Sequence, residues 1–539
     1  MSSARSSRML RTALTSLALA ACSMAVPALP LCQGNCSIGN DLLVGSNGAG
    51  NGSLSITGGD VVTAGGAGFL GAVGVGTGTA LISGAGSRLS IGGVTNSQFF
   101  IGHDLGTGVL TVQNGGQVTV DARNAGTAFG DARLNIGRGG NGTVNLLSGG
   151  SVIVRDLGPW GADEHIFVGA SIGTRAGSGT LSLSGGSTLE MRSTYSVLDV
   201  GVAQTAFTGS ARAEGLLEVL GGSVLTIEGT TNGGWLTIGR GGNTDGRVLV
   251  SGAGSLIDVK GSYGTIAVAN PYSATNDLSD GKALLQVGNG AVVRTSNTGS
   301  AVNTAMFVGF GLGTGTVHVE QGGLVDLAGD IRISERAGTA LNTQSGFMFI
   351  AAGGTVSASR TYVGDGQRAA TNGTLAGSGV LNGGVTVRTG GLLSPGASPG
   401  RLTINGDLAL DGTGTLRIEI AGLAEGQFDQ LVVSGPALWN GGVIEFVFID
   451  GFLPQQGDSV NFIAASSFSG LASAALSYSG AAPGFSFELA PDAGGLRFVA
   501  LNTALPVPEP GTVAMWAAGL SGLVAVVRRR RQVLTAAEQ

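Results

Sequence analysis

The feature that most constrains this chain is a recurring unit of three short segments. Phe99-Phe100-Ile101-Gly102 leads to Gly108-Val109-Leu110-Thr111-Val112, and then to Gly115-Gly116-Gln117-Val118-Thr119-Val120. The same order returns at 134–137, 142–146 and 149–154, at 236–239, 246–250 and 255–259, and at 306–309, 315–319 and 322–327. Roughly ten such units fall between Leu43 and about Gly391, with starts roughly 25 to 40 residues apart. Within each segment apolar and polar residues alternate, the pattern of a strand with one buried face. Gly-Gly, Gly-Ser and Asn-Gly mark the corners, where positive φ is needed. A three-strand unit of this size cannot bury its apolar side alone. Stacked coil upon coil, the inward residues form a continuous column and each strand pairs with its equivalents above and below.

An array of β-sandwiches built from hairpins would also use glycine corners. Three strands per unit favour the coil, because an odd number returns the chain to the same direction only if it coils. The expected fold is therefore all-β: an elongated right-handed parallel β-helix, three short strands per coil, over residues 43–411. Ile101, Ile136, Val168, Ile238 and Val308 are expected to stack inside it. Residues 156–164 and 203–214 read as projecting loops. Residues 412–501 read as a C-terminal β-rich cap, with candidate strands at 443–448, 459–464, 485–489 and 496–500.

Composition fits this reading. Gly accounts for 100 of the 539 residues, but Pro for only 13, which together fall below the level of structureless low-complexity chains. Hydrophobic residues make up 42%, enough to fill a sizeable core. Charged residues are 12%, the net charge is −6, and Lys260 and Lys282 are the only lysines. That excludes the clustered basic surface a nucleic-acid partner requires.

Both ends carry export features. Arg5, Arg8 and Arg11 precede an apolar stretch at 13–21, and small residues follow at Ser23-Met24-Ala25 and Val26-Pro27-Ala28. This describes a secretory signal peptide over 1–28, with an apolar run too short for a normal spanning helix. Leu19-Ala20-Ala21-Cys22 resembles a lipoprotein signal, in which Cys22 would be acylated; on the other reading Cys22 is removed with the peptide. Cys32 and Cys36 would then be the only mature cysteines, and in an oxidising compartment they could pair.

At the other end, residues 502–510 read as a linker containing Pro508, Glu509 and Pro510, whose two prolines break any preceding structure. The apolar run at 511–527 would span about 25 Å as a helix, just short of a bilayer core. Arg528, Arg529, Arg530 and Arg531 close it and would stay on the cytoplasmic side. Residues 511–531 thus form a single short transmembrane helix with an Arg cluster. This order resembles the PEP-CTERM sorting signal. The resemblance implies that an exosortase-like membrane protease recognises Pro508-Glu509-Pro510, that Arg528 to Arg531 act as the membrane stop, and that the processed protein reaches the surface of a Gram-negative cell making exopolysaccharide. The tail after Arg531 is a little longer than that family's pattern. The residues by themselves show only an anchor, so an unprocessed, membrane-anchored envelope protein is the simpler alternative.

The repeats also resemble autotransporter passengers, most clearly at Leu393-Ser394-Pro395-Gly396-Ala397-Ser398-Pro399-Gly400 and at 428–435. After Gly470 too few residues remain for a translocating barrel of many amphipathic strands, so self-secretion is not expected.

Chemistry is sparse. The histidines are His103, His165 and His318, and Asp163-Glu164-His165, with Asp156 nearby, is the densest titratable run. Asp121, Asp131 and Arg133, or Asp258 and Glu228, would need to align between coils to form an acid–base site. Residues 241–246 resemble one copy of a calcium-binding nonapeptide, a site that needs stacked copies. Residues 276–281 have carboxylate spacing for a hard cation but lack the closing Glu. No catalytic, cofactor-binding or metal residue is assigned, and no groove is expected to gather three or more ionisable side chains. The function expected is structural or adhesive, in a surface or extracellular matrix containing exopolysaccharide. The alternative is a β-helix polysaccharide lyase or hydrolase.

Overall fold

A computed structural model describes residues 31–34, 36–45, 50–72, 74–92, 96–122, 131–156, 163–171, 175–203, 212–270, 281–297, 304–310, 313–335, 345–367, 372–492 and 494–506. The signal segment, Pro508 to Pro510, the apolar run and Arg528 to Arg531 lie outside the described residues.

Strand accounts for 68% of the described residues and helix for 1%, so the all-β expectation holds. The pairing follows one rule. Asn96–His103 pairs in parallel with Asp131–Arg138, which pairs with Asp163–Ser171, which pairs with Tyr195–Ala203. Thr107–Gln113, Asn141–Leu147 and Gly177–Leu183 form a second parallel ladder. Gln117–Ala122, Ser151–Asp156 and Thr188–Ser193 form a third. Each strand therefore bonds to the third strand on, and the chain returns to the same ladder after three strands. That connectivity is a three-faced β-helical coil. The faces are called first, second and third below, in the order the chain visits them.

The core is a set of vertical columns. On the first face Val44, Leu70, Ile101, Ile136, Val168, Val200, Ile238, Val268, Val308, Ile333, Val363, Val387 and Leu410 lie rung upon rung. None is more than 1% exposed. The residues expected to stack do so, because a parallel ladder places the same strand position of every coil in line.

The corner after this column explains much of the glycine. Gly137 has φ 67°, and a Cβ there would sit 1.8 Å from the Ser178 carbonyl oxygen. Across the same corner, a Cβ on Gly142 would lie 2.2 Å from both the Gly137 nitrogen and the Ile101 oxygen. Two backbones cross in contact here, so neither residue has room for a side chain.

The parallel pairing runs on past residue 411. Leu408–Ile420 pairs in parallel with Pro436–Phe448, and the latter with Ala475–Ser479. The reason is the burial alternation, which continues unbroken along Leu416 to Ile420 and Ile444 to Phe448. The expected strand at 443–448 is the second half of Pro436–Phe448, Ser459–Ala464 forms as expected, and the strand expected at 485–489 is Phe487–Asp492. Among the described residues, antiparallel strand pairs occur at the two ends, with single antiparallel bridges at Gly377–Gly396 and Ile420–Phe428 between them. Leu31–Gly34 pairs with Asn51–Thr57, and Cys36–Ile38 with Leu42–Val44. Cys32 is disulfide-bonded, while the Cys36 side chain lies outside the described residues. At the far end Gly495–Ala500 pairs antiparallel with both Ser459–Ala464 and Phe487–Asp492. Phe446 packs there against Phe498 at 4.9 Å, Phe462 at 5.1 Å and Phe487 at 5.2 Å. These rings cover the last open layer of the core.

Candidate functional sites

The parallel register decides which charges meet. Equivalent positions of successive coils stand about 4.8 Å apart, so a charged side chain meets its neighbours one coil up and one coil down. Glu228 lies between Arg192, at 3.7 Å, and Lys260, at 3.3 Å, with all three in one column of the third face. Asp121 pairs with Arg155 at 3.3 Å, and Asp258 with Arg294 at 2.8 Å. On the second face Asp245 accepts from Arg247 and Arg212, each at 2.9 Å, and Arg212 also reaches Glu214 at 2.7 Å. The Arg247 hydrogen bond holds the Asp245 carboxyl below its ordinary range.

The expectation that no three ionisable groups gather therefore fails at Arg192–Glu228–Lys260 and at Arg212–Glu214–Asp245–Arg247. Of the residues flagged for possible alignment, only Asp131 and Arg133 meet. Asp121 goes to Arg155, and Asp258 and Glu228 take different partners. Each carboxylate in these clusters is neutralised by a guanidinium or ammonium group.

Asp121, Asp156 and Asp258 are buried on the third face, and the first face carries a further buried charge. Asp199 is fully buried and bonds Arg240 at 3.1 Å. Burial pushes its carboxyl up, against the pull of Arg240 and a Thr237 hydrogen bond. His165 stacks on Phe167 at 5.4 Å and is pushed down to about 4 by burial, and further by Arg133 and Arg240. His103 is likewise pushed down to about 4 by burial, Arg138 and Arg175. Both imidazoles are neutral and weakly basic near pH 7. The side chains of Asp163 and Glu164 lie outside the described residues. His318 points outward from the second face between Phe347 and Phe349, 5.9 Å from each ring. No group of three or more His, Cys, Asp or Glu suited to a metal occurs among the described residues.

The remaining site is the junction with the tail. The chain is held to the cap further than the expected linker at 502–510 allows. Asn502 accepts from the Ser486 N–H at 2.8 Å and donates to the Gly484 carbonyl at 2.8 Å. The Ala504 N–H donates to Pro454 at 2.8 Å, and the Leu505 carbonyl accepts from Ala482 at 2.7 Å. Only Pro506 and Val507 then stand between the folded body and Pro508. Among the described residues no helix is long and apolar enough to cross a membrane.

No curated protein matches the chain. Residues 506–531 match the PEP-CTERM protein-sorting motif, so the chain carries, directly after its folded body, the signal for export and sorting by an exosortase system to the cell envelope or surface.

Proposed function

We propose that this protein is a non-enzymatic structural or adhesive component of the cell surface or extracellular matrix, working with exopolysaccharide. It is exported with the help of a cleaved signal peptide over 1–28. The helix at 511–531 holds it transiently in the inner membrane, Arg528 to Arg531 stop transfer, and an exosortase-like protease cuts at Pro508-Glu509-Pro510. The observation that carries this reading is the sorting motif abutting a rigid, elongated coil. The chemistry of the coil supports it: the carboxylates of the Arg192–Glu228–Lys260 and Arg212–Glu214–Asp245–Arg247 clusters are paired with cations, and the first-face histidines are weak bases shielded by burial. A polysaccharide lyase or hydrolase would need an acid–base pair open to its substrate.

The test is made in the native host. Replacing Pro508, Glu509 and Pro510 together with Ala should leave full-length protein in the inner membrane. Mass spectrometry of surface material from the unaltered strain should find no peptide reaching Gln539. A surface fraction with an intact C-terminus would instead establish an unprocessed anchor. Cleavage of a polysaccharide panel by the purified protein would overturn the non-enzymatic reading.

A further inference from the structure

The second face changes character along the coil. In its first strands, Asn51–Thr57, Thr77–Ser83, Thr107–Gln113, Asn141–Leu147 and Gly177–Leu183, every outward side chain is Ser, Thr, Asn, Gln, Leu or Val. The next three strands of the same columns carry Glu214 and Glu218, then Asp245 and Arg247, then Lys282, before Thr314–Val319 and Ser345–Ile350 again turn out no Asp, Glu, Lys or Arg. The neutrality belongs to this face and not to this part of the chain. The same coils place Arg133 and Arg138 on the first face and Asp121 and Arg155 on the third.

The hydroxyls are in register. Ser53 pairs with Thr79, Thr79 with Val109, Val109 with Thr143, and Thr143 with Thr180. The rungs repeat about every 4.8 Å along the coil axis. Ser53, Thr79, Thr143 and Thr180 make no side-chain hydrogen bond to other described residues, so their capacity is turned outward. A shallow depression of about 350 Å³ lies on this face, lined by Ser53, Ser55, Thr79, Leu81, Val109 and Thr111. Leu81 and Val109 give its floor an apolar patch among hydroxyls.

From this geometry we infer that the uncharged first strands of the second face bind a neutral polysaccharide chain laid along the coil axis. Such a chain presents hydroxyls at a regular repeat and an apolar face on each ring, and it carries no charge needing a counter-ion. A polyuronate would find no cation here, and a nucleic acid none either. The inference rests on the matrix role proposed above and names the ligand class and the surface for it.

The test uses the full chain. Retention is measured on cellulose, chitin, dextran and mannan as neutral supports, and on alginate and hyaluronan as anionic ones. The protein should bind at least one neutral support at least tenfold more strongly than either anionic one. Thr79→Glu with Thr111→Glu should reduce that binding at least tenfold, while Gln286→Glu, on a charged strand of the same face, should leave it unchanged. Circular dichroism establishes that both variants keep the strand content. Retention on no neutral support, equal retention on alginate, or unaltered binding by the double variant would each overturn the inference. So would sedimentation showing a dimer that the double variant abolishes, since the face would then join two copies of this chain. Matrix retention is scored in the host with the same variants. A double variant still retained in the matrix sinks this inference alone, whereas an unaltered protein missing from the matrix sinks the role it rests on.

Discussion

At the scale of single residues, Asp429 ties the strongest passenger-like motif to the coil. Its carboxylate accepts from the Gly400 N–H at 2.9 Å, at the end of the Leu393 to Gly400 run, and from the Glu419 N–H at 2.9 Å. Burial pushes this carboxyl up to about 7, against those two hydrogen bonds. A native value above the unfolded one, about 3.9, means that the folded protein holds the proton more tightly. The associated stability is fully present below about pH 4 and is lost as pH rises through 7. His165 and His103 act in the opposite sense, losing stability as pH falls from about 6.5 toward 4, so the Asp429 effect must be isolated by substitution. Asp429→Asn should cost about 1–3 kcal/mol, because its amide NH₂ opposes one of the two N–H donors. Thermal unfolding at pH 4.5 and 7.5 should show a larger deficit for the variant at the lower pH. An identical deficit at both values would refute the assignment. The motif's pattern was visible in the sequence, but the role of Asp429 was not, since it depends on a carboxylate meeting amides from two other segments.

The strand is the next scale up, and there the reading from sequence was most complete. Period-2 alternation between glycine corners located the strands around Ile101, Ile136, Ile238 and Val308, because burial on one side leaves a mark on every second residue. The same mark continues from Leu416 to Ile420 and from Ile444 to Phe448, yet the coil was expected to end at 411. Longer strands of 13 residues and the Leu393 to Gly400 turn disguised a repeat that had only changed its spacing. The surface ion pairs were beyond reach for another reason. Arg155 meets Asp121, and Arg294 meets Asp258, only through register between coils, and the inserted loops make that register irregular in sequence. Stacking also predicts how the core responds to change. Ile136 and Ile238 share a column with Val168 and Val200 between them, so about 14 Å separates them. Ile136→Val and Ile238→Val should each cost about 0.5–1.5 kcal/mol. The double variant should equal their sum within about 0.5 kcal/mol, as expected beyond contact distance. Denaturant unfolding provides the measurement, and a large departure from additivity would mean that the column does not behave as nearest-neighbour layers.

Considered as a whole molecule, a stack of parallel rungs has two open ends, each offering unpaired N–H and C=O groups to another chain. At each end part of this edge is covered by a reversal of strand direction, while Val61–Ala64 and Ala475–Ser479 pair with a described strand on one side only. Leu31–Gly34 and Cys36–Ile38 give this cover at one end. At the other, Gly495–Ala500 runs antiparallel between Ser459–Ala464 and Phe487–Asp492, over the Phe446, Phe462 and Phe498 rings. Pro454, Ala482, Gly484 and Ser486, beside these strands, hold the chain up to Leu505, directly before the sorting motif at 506–531. Strand reversal and sorting therefore share one end of the coil: the end that would otherwise template association is also the end presented to the membrane enzyme. Deleting 486–500 while keeping the rest should expose the last parallel rungs and the aromatic layer beneath them. The shortened protein should keep its strand signal by circular dichroism, yet associate end to end with rising concentration, giving elongated particles by light scattering and electron microscopy. The intact chain should stay monomeric under the same conditions. If the shortened protein also stays monomeric with its strand content preserved, the reversed strands are not what blocks the open end.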